Sequence, residues 1–553
     1  MTKYDESHDV IVIGSGISGL FAAIAAAKRG ARTLLLEKES VWGGTTAYSG
    51  SILWIPQNHL MKKDGFSDSE ENALAYLEAT IGDAGPASSL RRRQAYVRTA
   101  APVVKALEDD GFQWAYRRDY WDYFPDQSGA HHCRGVGAGL FDANKLGPSY
   151  RTMCRPGNFP ALAMYPNELQ GLIAPLRSAA NLATMLRVVI RTLWWRLSGR
   201  TPLAAGQALV AQLMVIARRY GVELRLDTRL TGLLTEDGKV IGIEARIGEN
   251  VTRLLAKAGI ILCAGGFARN DEFRRRYQAV GGGYTAAHPG DTGDAVQAGM
   301  AIGAATALMD EAFWTQTVCL PDGTTRIVLW ERVMPHSIMV DQSGKRYLNE
   351  AQSYDKIGRS MIEHNRQTAS IPTWLIMDAR HRRRYPFLAW PGGYTPKAMI
   401  ERGFFIKAKS ITDLAAQCNI DPETLSATVE RFNTFARNGV DADFGRGNDK
   451  FDHTYADATV QPNPCLGTLE RAPFWAVRIY PGDFGTKGGL LTDEHSRVLR
   501  EKDGEPIAGL YAAGNTTASI TGHTYPGPGC TLGPAAIFGH IAGDHAAAVG
   551  NRT

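Results

Sequence analysis

Asp9-Val-Ile-Val-Ile-Gly14-Ser-Gly16-Ile-Ser-Gly19, running on through an alanine-rich stretch to Lys28, decides how this chain folds. A short β-branched run enters three closely spaced glycines and then a helical pattern, so the order is strand, tight turn, helix. A second apolar run, Thr33 to Leu36, ends in Glu37. Glycines in such a turn let the backbone bend sharply, let it approach a pyrophosphate, and let helix and strand pack closely. An acidic residue about 20 positions on can bind a ribose hydroxyl. Gly14, Ser15, Gly16, Ser18 and Gly19, with Glu37 and the adjoining Lys38, therefore read as a dinucleotide site.

The next segments narrow the cofactor. Trp42-Gly43-Gly44-Thr45-Thr46-Ala47-Tyr48-Ser49-Gly50 follows the second strand with a glycine and hydroxyl cluster, where a nicotinamide-binding domain would usually begin another helix. Ile260 to Leu262 closes on Cys263-Ala264-Gly265-Gly266-Phe267, and Ile507 to Asn515 repeats the device with Gly514-Asn515. Together with Gly290-Asp291-Thr292-Gly293-Asp294, these motifs resemble the fumarate reductase and succinate dehydrogenase flavoprotein superfamily over nearly the whole chain. The resemblance implies an α/β fold: a Rossmann-like FAD-binding domain with a parallel sheet, interrupted by an α+β catalytic or cap domain. It also implies FAD contacts from Gly43, Gly44, Thr45, Thr46, Ser49, Gly50, Ala264, Gly265, Gly266, Asp294, Gly514 and Asn515. Covalently flavinylated members carry a histidine near the 43–50 cluster. None occurs here, which implies non-covalent FAD.

At 553 residues, with about 100–200 per domain, two to four domains are expected. The interleaved motifs put the FAD-binding domain at 1–280 and 455–553 and the catalytic domain at 281–454. With 44% hydrophobic and 21% charged residues the chain is an ordinary globular one, and a net charge of +5 is too small and dispersed for nucleic acid. The seven cysteines are scattered without a C-x-x-C pair, so neither a disulfide framework nor a zinc site is expected. Nothing behind Met1 to His8 has the apolar core of a signal peptide, so the expectation is a cytoplasmic protein.

Near the C-terminus, Gly522-His-Thr-Tyr525-Pro-Gly527-Pro-Gly529-Cys-Thr-Leu532-Gly533-Pro534 packs four glycines around one tyrosine just before a small-residue helical pattern. Such a loop, ending at a helix start, can present N–H donors and a phenol to a carbonyl oxygen. With Asp122-Tyr123-Phe124-Pro125-Asp126 and Asn349-Glu-Ala-Gln-Ser-Tyr354-Asp355, it resembles three motifs of the 3-ketosteroid Δ1-dehydrogenases. The resemblance implies a 3-ketosteroid substrate, including sterol-derived ketones with a side chain, and a quinone or other electron acceptor. Tyr525 and the Gly529 N–H would hold the 3-keto oxygen, Tyr354 would take the carbon 2 proton, and Tyr123 would assist. Tyr120 stands three residues away and could take the assisting role. Gly529, Leu532 and Gly533 would also face the flavin. His288 and His523 flank these loops without an evident partner. Alternatives are a 3-ketosteroid Δ4-(5α)-dehydrogenase, a fumarate-type dicarboxylate reductase, or a membrane-surface flavoprotein that only transfers electrons.

One segment departs from the superfamily pattern. Gln170 to Val222 contains seven arginines and no acidic residue. On a helix, Leu182, Met185, Leu186, Val189, Ile190, Leu193 and Leu197 share a face, with Arg187 and Arg191 off it and Trp194 and Trp195 nearby. About 175–200 therefore reads as a segment lying in a membrane surface. Packing against the protein itself or against another subunit is the other reading.

Overall fold

The computed structural model describes residues 4–116, 118, 120–155, 162–173 and 175–550. Glu6–Ile13 lies inside an eight-stranded sheet, flanked in parallel by Thr33–Leu36 and Asn250–Leu262. Glu223–Arg225 and Pro506–Ala512 extend the parallel set outward on either side. Val10, Ile11 and Val12 are fully buried, as an uninterrupted apolar run must be when both faces of a parallel sheet are covered. One covering layer is the helix pair Ile17–Lys28 and Leu532–Gly550. A Cβ on Gly539 would lie 2.3 Å from the Ser18 carbonyl oxygen, and one on Gly543 2.1 Å from that of Ala22. Two glycines four residues apart thus let the first and last helices touch backbone to backbone, joining the two ends of the chain.

The second unit is a six-stranded sheet in which every pairing is antiparallel. Its long strand Phe474–Thr486 pairs with Ala312–Cys319, Thr373–Met377 and Ile406–Ala408. The helix Asp294–Ala301 and residues Ala304 and Met309 pack in the core of the first sheet, whereas Val280 and Tyr284 pack with Ala312 and Trp314 of the second. Phe474–Thr486 finds its strand partners in the second sheet.

The 170–222 segment also divides, and residue 174 lies outside the described residues. Ala205–Arg219 is a buried helix packed on Ile17–Lys28 and belongs to the core of the first unit. Ala179–Leu197 is a helix whose Val188 and Thr192 face inward. Its apolar stripe points to solvent: Leu186, Val189, Leu193 and Trp194 are exposed, Ile190 is 64% exposed and Leu197 88%. Most exposed large apolar side chains among the described residues lie on this one helix. Internal packing of that stripe is therefore excluded. No helix among the described residues is long and apolar enough to cross a membrane.

Candidate active site

The first glycine turn is built as its spacing requires. Gly14 has φ +102°, and a Cβ there would lie 2.4 Å from the Cys263 carbonyl oxygen; one on Gly19 would lie 1.8 Å from the Gly14 carbonyl oxygen. At Gly16 a Cβ would meet only the Thr46 Oγ1, at 3.5 Å, so the start of the helix stays open to a ligand. Glu37 accepts from the Ser15 N–H at 3.1 Å and the Ser15 hydroxyl at 2.6 Å, while the Ser15 oxygen accepts from the Gly43 N–H at 2.9 Å. One carboxylate at the end of the second strand thus ties the first glycine turn to the second.

The remaining nucleotide motifs gather at the same place. Thr46 accepts from the Ile17 N–H at 3.0 Å and Thr45 from the His288 N–H at 3.0 Å. The Ser49 hydroxyl donates to the Thr46 carbonyl at 2.7 Å, and Gly44 and Gly50 have little or nothing near their Cβ positions. Gly265, which follows Ala264, accepts from the Thr516 hydroxyl at 2.8 Å, and a Cβ on Gly266 would lie 1.9 Å from Thr486 Oγ1. Gly514 presses on Ser18, with 2.6 Å from its Cβ position to the Ser18 hydroxyl. A cavity lined by Gly514, Asn515, Thr531 and Phe313 lies between the 514–515 turn and the C-terminal loop. Lys38 and Asp294 engage each other, at 2.8 Å, with Thr292 bridging. His288 accepts from the Gly290 N–H, and burial lowers its pKa, so it is neutral. Main-chain donors at glycine turns, two helix starts and one carboxylate fit the pyrophosphate and ribose of FAD.

Three phenols from distant stretches meet beside that cavity. The ring centroids of Tyr354 and Tyr525 are 5.2 Å apart, those of Tyr123 and Tyr354 5.5 Å, and those of Tyr123 and Tyr525 5.7 Å. Phe313, Phe451 and Phe484 wall the group. Tyr120 lies a layer behind, its ring 6.4 Å from that of Tyr123 and its hydroxyl 3.3 Å from that of Tyr455, so the structure selects Tyr123 as the neighbour of the other two. Tyr123 is held by its N–H on the Pro526 carbonyl at 2.8 Å, and Tyr76 donates to the same carbonyl at 2.5 Å. Asp122 anchors this loop from inside, accepting from Trp54 Nε1 at 2.7 Å, the His131 N–H at 3.0 Å and Arg134 at 2.8 Å.

Tyr525 is 4% exposed, and its hydroxyl accepts from the Thr531 N–H at 3.2 Å and pairs with the Thr531 hydroxyl at 3.0 Å. Gly529 lies between them in the chain, with φ +92°; a Cβ there would lie 2.5 Å from the Ile52 carbonyl oxygen. Among the described residues the Gly529 N–H has no hydrogen-bond partner, while its carbonyl accepts from the Gly533 and Trp54 N–H groups. Leu532 opens the final helix, and Gly533 is pressed against Trp54 and Tyr96. Burial pushes the Tyr525 phenol up to about 12 and those of Tyr123 and Tyr354 well above the ordinary value. At neutral pH all three carry their protons, and Tyr354 interacts with both of the others. Those hydrogen bonds raise the Tyr354 phenol and lower the other two, so a proton-accepting Tyr354 must first lose its own proton and then accept from its neighbours.

Behind the phenols is a group of charges that the sequence did not single out. Lys487, fully buried, donates to Asp355 at 3.1 Å and to the Thr524 carbonyl at 2.8 Å. Asp355 also accepts from Arg359, which forks onto Glu311, and Glu311 contacts His523 at 2.8 Å. His523 thus has a partner, distant in sequence. Only the Gly-Thr-Lys-Gly-Gly run at 485–489 marked the lysine, and nothing along the chain links it to Asp355.

The family described as FAD binding domain matches residues 9–532. The 3-oxosteroid 1-dehydrogenase of Mycolicibacterium smegmatis is 39% identical, over 97% of this chain and 96% of its own. The enzyme of the same name from Mycobacterium tuberculosis H37Rv is 36% identical over 98% of each. Among solved structures, the 3-ketosteroid Δ1-dehydrogenase of Sterolibacterium denitrificans in complex with 1,4-androstadiene-3,17-dione superposes with a TM-score of 0.92 at 34% identity, covering 98% of this chain and 100% of that one. The chain belongs to the FAD binding domain family and, within it, to the 3-oxosteroid 1-dehydrogenases.

Proposed function

We propose that this protein uses FAD to introduce a double bond between carbons 1 and 2 of ring A of 3-ketosteroids, sterol-derived ketones with a side chain among them. The observation that carries the reading is the meeting of Tyr123, Tyr354 and Tyr525 beside Gly529 at the head of the final helix.

The chemistry requires a proton to leave carbon 2 and a hydride to leave carbon 1. Tyr525, protonated because burial raises it to about 12, donates to the 3-keto oxygen. The Gly529 N–H is the second donor. The Thr531 N–H donating to the Tyr525 oxygen makes that phenol a stronger donor in turn. As carbon 2 loses its proton, negative charge moves onto the ketone oxygen, where each donor is worth about 3–4 kcal/mol. Tyr354 takes the proton as its phenolate, its own hydroxyl proton having first left to solvent; Tyr123 hydrogen-bonds that phenolate before the transfer, and the neutral Tyr354 phenol is the result. Bound non-covalently, FAD supplies the two-electron acceptance of the hydride. A quinone or similar acceptor reoxidises it.

Gly14, Gly16, Gly19, Ser15 and Ser18, with the 43–50, 264–266 and 514–515 turns, are the groups that would hold the cofactor, with Glu37 at the ribose. Lys38 and Asp294 contribute to that rim as a pair. Anaerobic mixing with 4-androstene-3,17-dione or cholest-4-en-3-one should bleach the flavin and yield the 1,4-dien-3-one by NMR. Action only on 5α-reduced ketones, with a 4,5 double bond formed, would favour the Δ4-(5α) alternative. Oxidation of reduced flavin by fumarate would favour the reductase, and no bleaching by any ketosteroid the electron carrier.

A second reading concerns location: a cytoplasmic enzyme resting on an anionic membrane surface. The outward apolar stripe of Ala179–Leu197 supports it, with Arg200 over the Trp194 and Trp195 rings at 5.5 and 5.8 Å. Sedimentation with phosphatidylglycerol vesicles tests it. The protein should pellet and the Ile190→Asp/Leu193→Asp variant should not; equal pelleting of both would end the membrane reading.

A further inference from the structure

Burying a charge pair seldom adds stability, because removal from water cancels most of the attraction, and an apolar pair of similar volume is often as good or better. Lys487 is such a case: its side chain is fully buried, with its ammonium 5.4 Å from the Phe313 ring centroid and 6.0 Å from that of Tyr525. Its two acceptors are informative. Asp355 directly follows Tyr354, and Thr524 directly precedes Tyr525.

The lysine is itself firmly placed. Its N–H donates to the Glu311 carbonyl at 2.9 Å and its carbonyl accepts from the Ser519 N–H at 3.0 Å. The circuit closes behind it through Arg359, which contacts Asp355 at 3.0 Å and Glu311 at 2.7 Å, and through His523, which contacts Glu311 at 2.8 Å and is the residue before Thr524. Two segments about 170 positions apart, one beginning the helix Tyr354–Asn365 and the other the C-terminal loop, are thus tied by a single ammonium.

We infer that Lys487 is a positioning residue for the reaction: held between Asp355 and the Thr524 carbonyl, it fixes the spacing between Tyr354 and Tyr525. This rests on the roles given to those two phenols above. Proton removal and ketone polarisation must act on adjacent atoms at the same moment, so the spacing between the two groups is a rate-determining dimension. A misplacement of about 1 Å in such a pair costs on the order of 100-fold in rate.

The test uses FAD-loaded Lys487→Met, Lys487→Arg and the double variant Lys487→Met/Asp355→Asn. Crystal structures without steroid give the separation of the Tyr354 and Tyr525 ring centroids, 5.2 Å here. Single-turnover flavin reduction and steady-state kinetics with 4-androstene-3,17-dione give the rest. Lys487→Met should alter the separation by about 1 Å and lower kcat about 100-fold with KM within about threefold. Lys487→Arg should recover part of the rate. The double variant should stay slow, because the Thr524 link is still missing, and it carries the test if the single variant fails to fold. Full recovery in the double variant would mean that the lysine only neutralises Asp355, and an unchanged separation with unchanged kcat would overturn the inference. If the unaltered enzyme fails to reduce its flavin with ketosteroids, the proposed function falls, and the crystallographic separation alone decides the positioning role.

Discussion

Replacing Tyr525 by phenylalanine removes one oxygen and leaves the ring among Tyr123, Tyr354 and Phe313 unchanged. Two separate effects follow. The Thr531 N–H and hydroxyl lose the partner they have at 3.2 and 3.0 Å, a buried hydrogen-bond loss of about 1–2 kcal/mol that lowers the melting temperature slightly. The ketone loses one of its two donors, a cost of about 3–4 kcal/mol in the transition state, or about 100- to 1,000-fold in the rate of flavin reduction. Because burial holds this phenol at about 12, above its ordinary value of 10, the stability contributed by its neutral form is present below pH 10 and lost only as pH rises through about 12. The rate ratio between the two enzymes should therefore be flat across neutral and mildly alkaline pH. Stopped-flow bleaching of bound flavin by 4-androstene-3,17-dione under anaerobic conditions measures it, with FAD content determined beforehand. A variant that keeps its FAD and reduces it within about threefold of the parent rate would refute the assignment.

Tyr354→Phe should retain FAD and steroid binding but lose exchange of the carbon 2 hydrogens with deuterated water; exchange at the parent rate would exclude Tyr354 as the base. Gly529→Ala places a Cβ 2.5 Å from the Ile52 carbonyl oxygen at φ +92°, so a loss of about 1–3 kcal/mol in stability and most of the turnover is expected, read by thermal melting and flavin reduction. Parent values for both would mean that the loop tolerates a side chain there. Asp291 is buried near Asp483, and burial and that carboxylate together push its carboxyl up to about 7 from 3.8. The stability associated with its neutral form is complete below pH 3.8 and lost as pH rises through about 7. Asp291→Asn should consequently melt higher than the parent above pH 7 and converge with it near pH 4, whereas parallel melting curves would show that the carboxyl titrates normally.

What the sequence made legible depended on how local the signal was. The turn from Gly14 to Gly19 announces itself because three closely spaced glycines join one strand to one helix; Gly14 and Gly19 are each crowded by backbone, and Gly16 is left open. The stripe on Ala179–Leu197 was equally readable as a pattern. Whether it packed inward or faced outward depended on Val188 and Thr192, which take the inward side. Ala205–Arg219 shows the limit of charge reading: Arg218 and Arg219 at its end look like part of a basic insert, yet ten of its residues are buried against the first helix and its surroundings. The strand Phe474–Thr486 could not be assigned to a sheet from its own residues, since pairing partners lie more than 60 positions away in the chain. Tyr123 and Tyr120 were inseparable by motif, and the Tyr123 N–H on the Pro526 carbonyl separates them. Lys487 and Asp355, 132 positions apart, meet only through the fold.

The account turns on how ring A is held. A crystal structure of the FAD-loaded enzyme with 1,4-androstadiene-3,17-dione measures this directly. The 3-keto oxygen should lie within hydrogen-bond distance, about 3 Å, of both the Tyr525 hydroxyl and the Gly529 nitrogen, with carbon 2 toward Tyr354. A steroid bound with its 3-keto oxygen on other partners, and Tyr525 still satisfied by Thr531 alone, would contradict it.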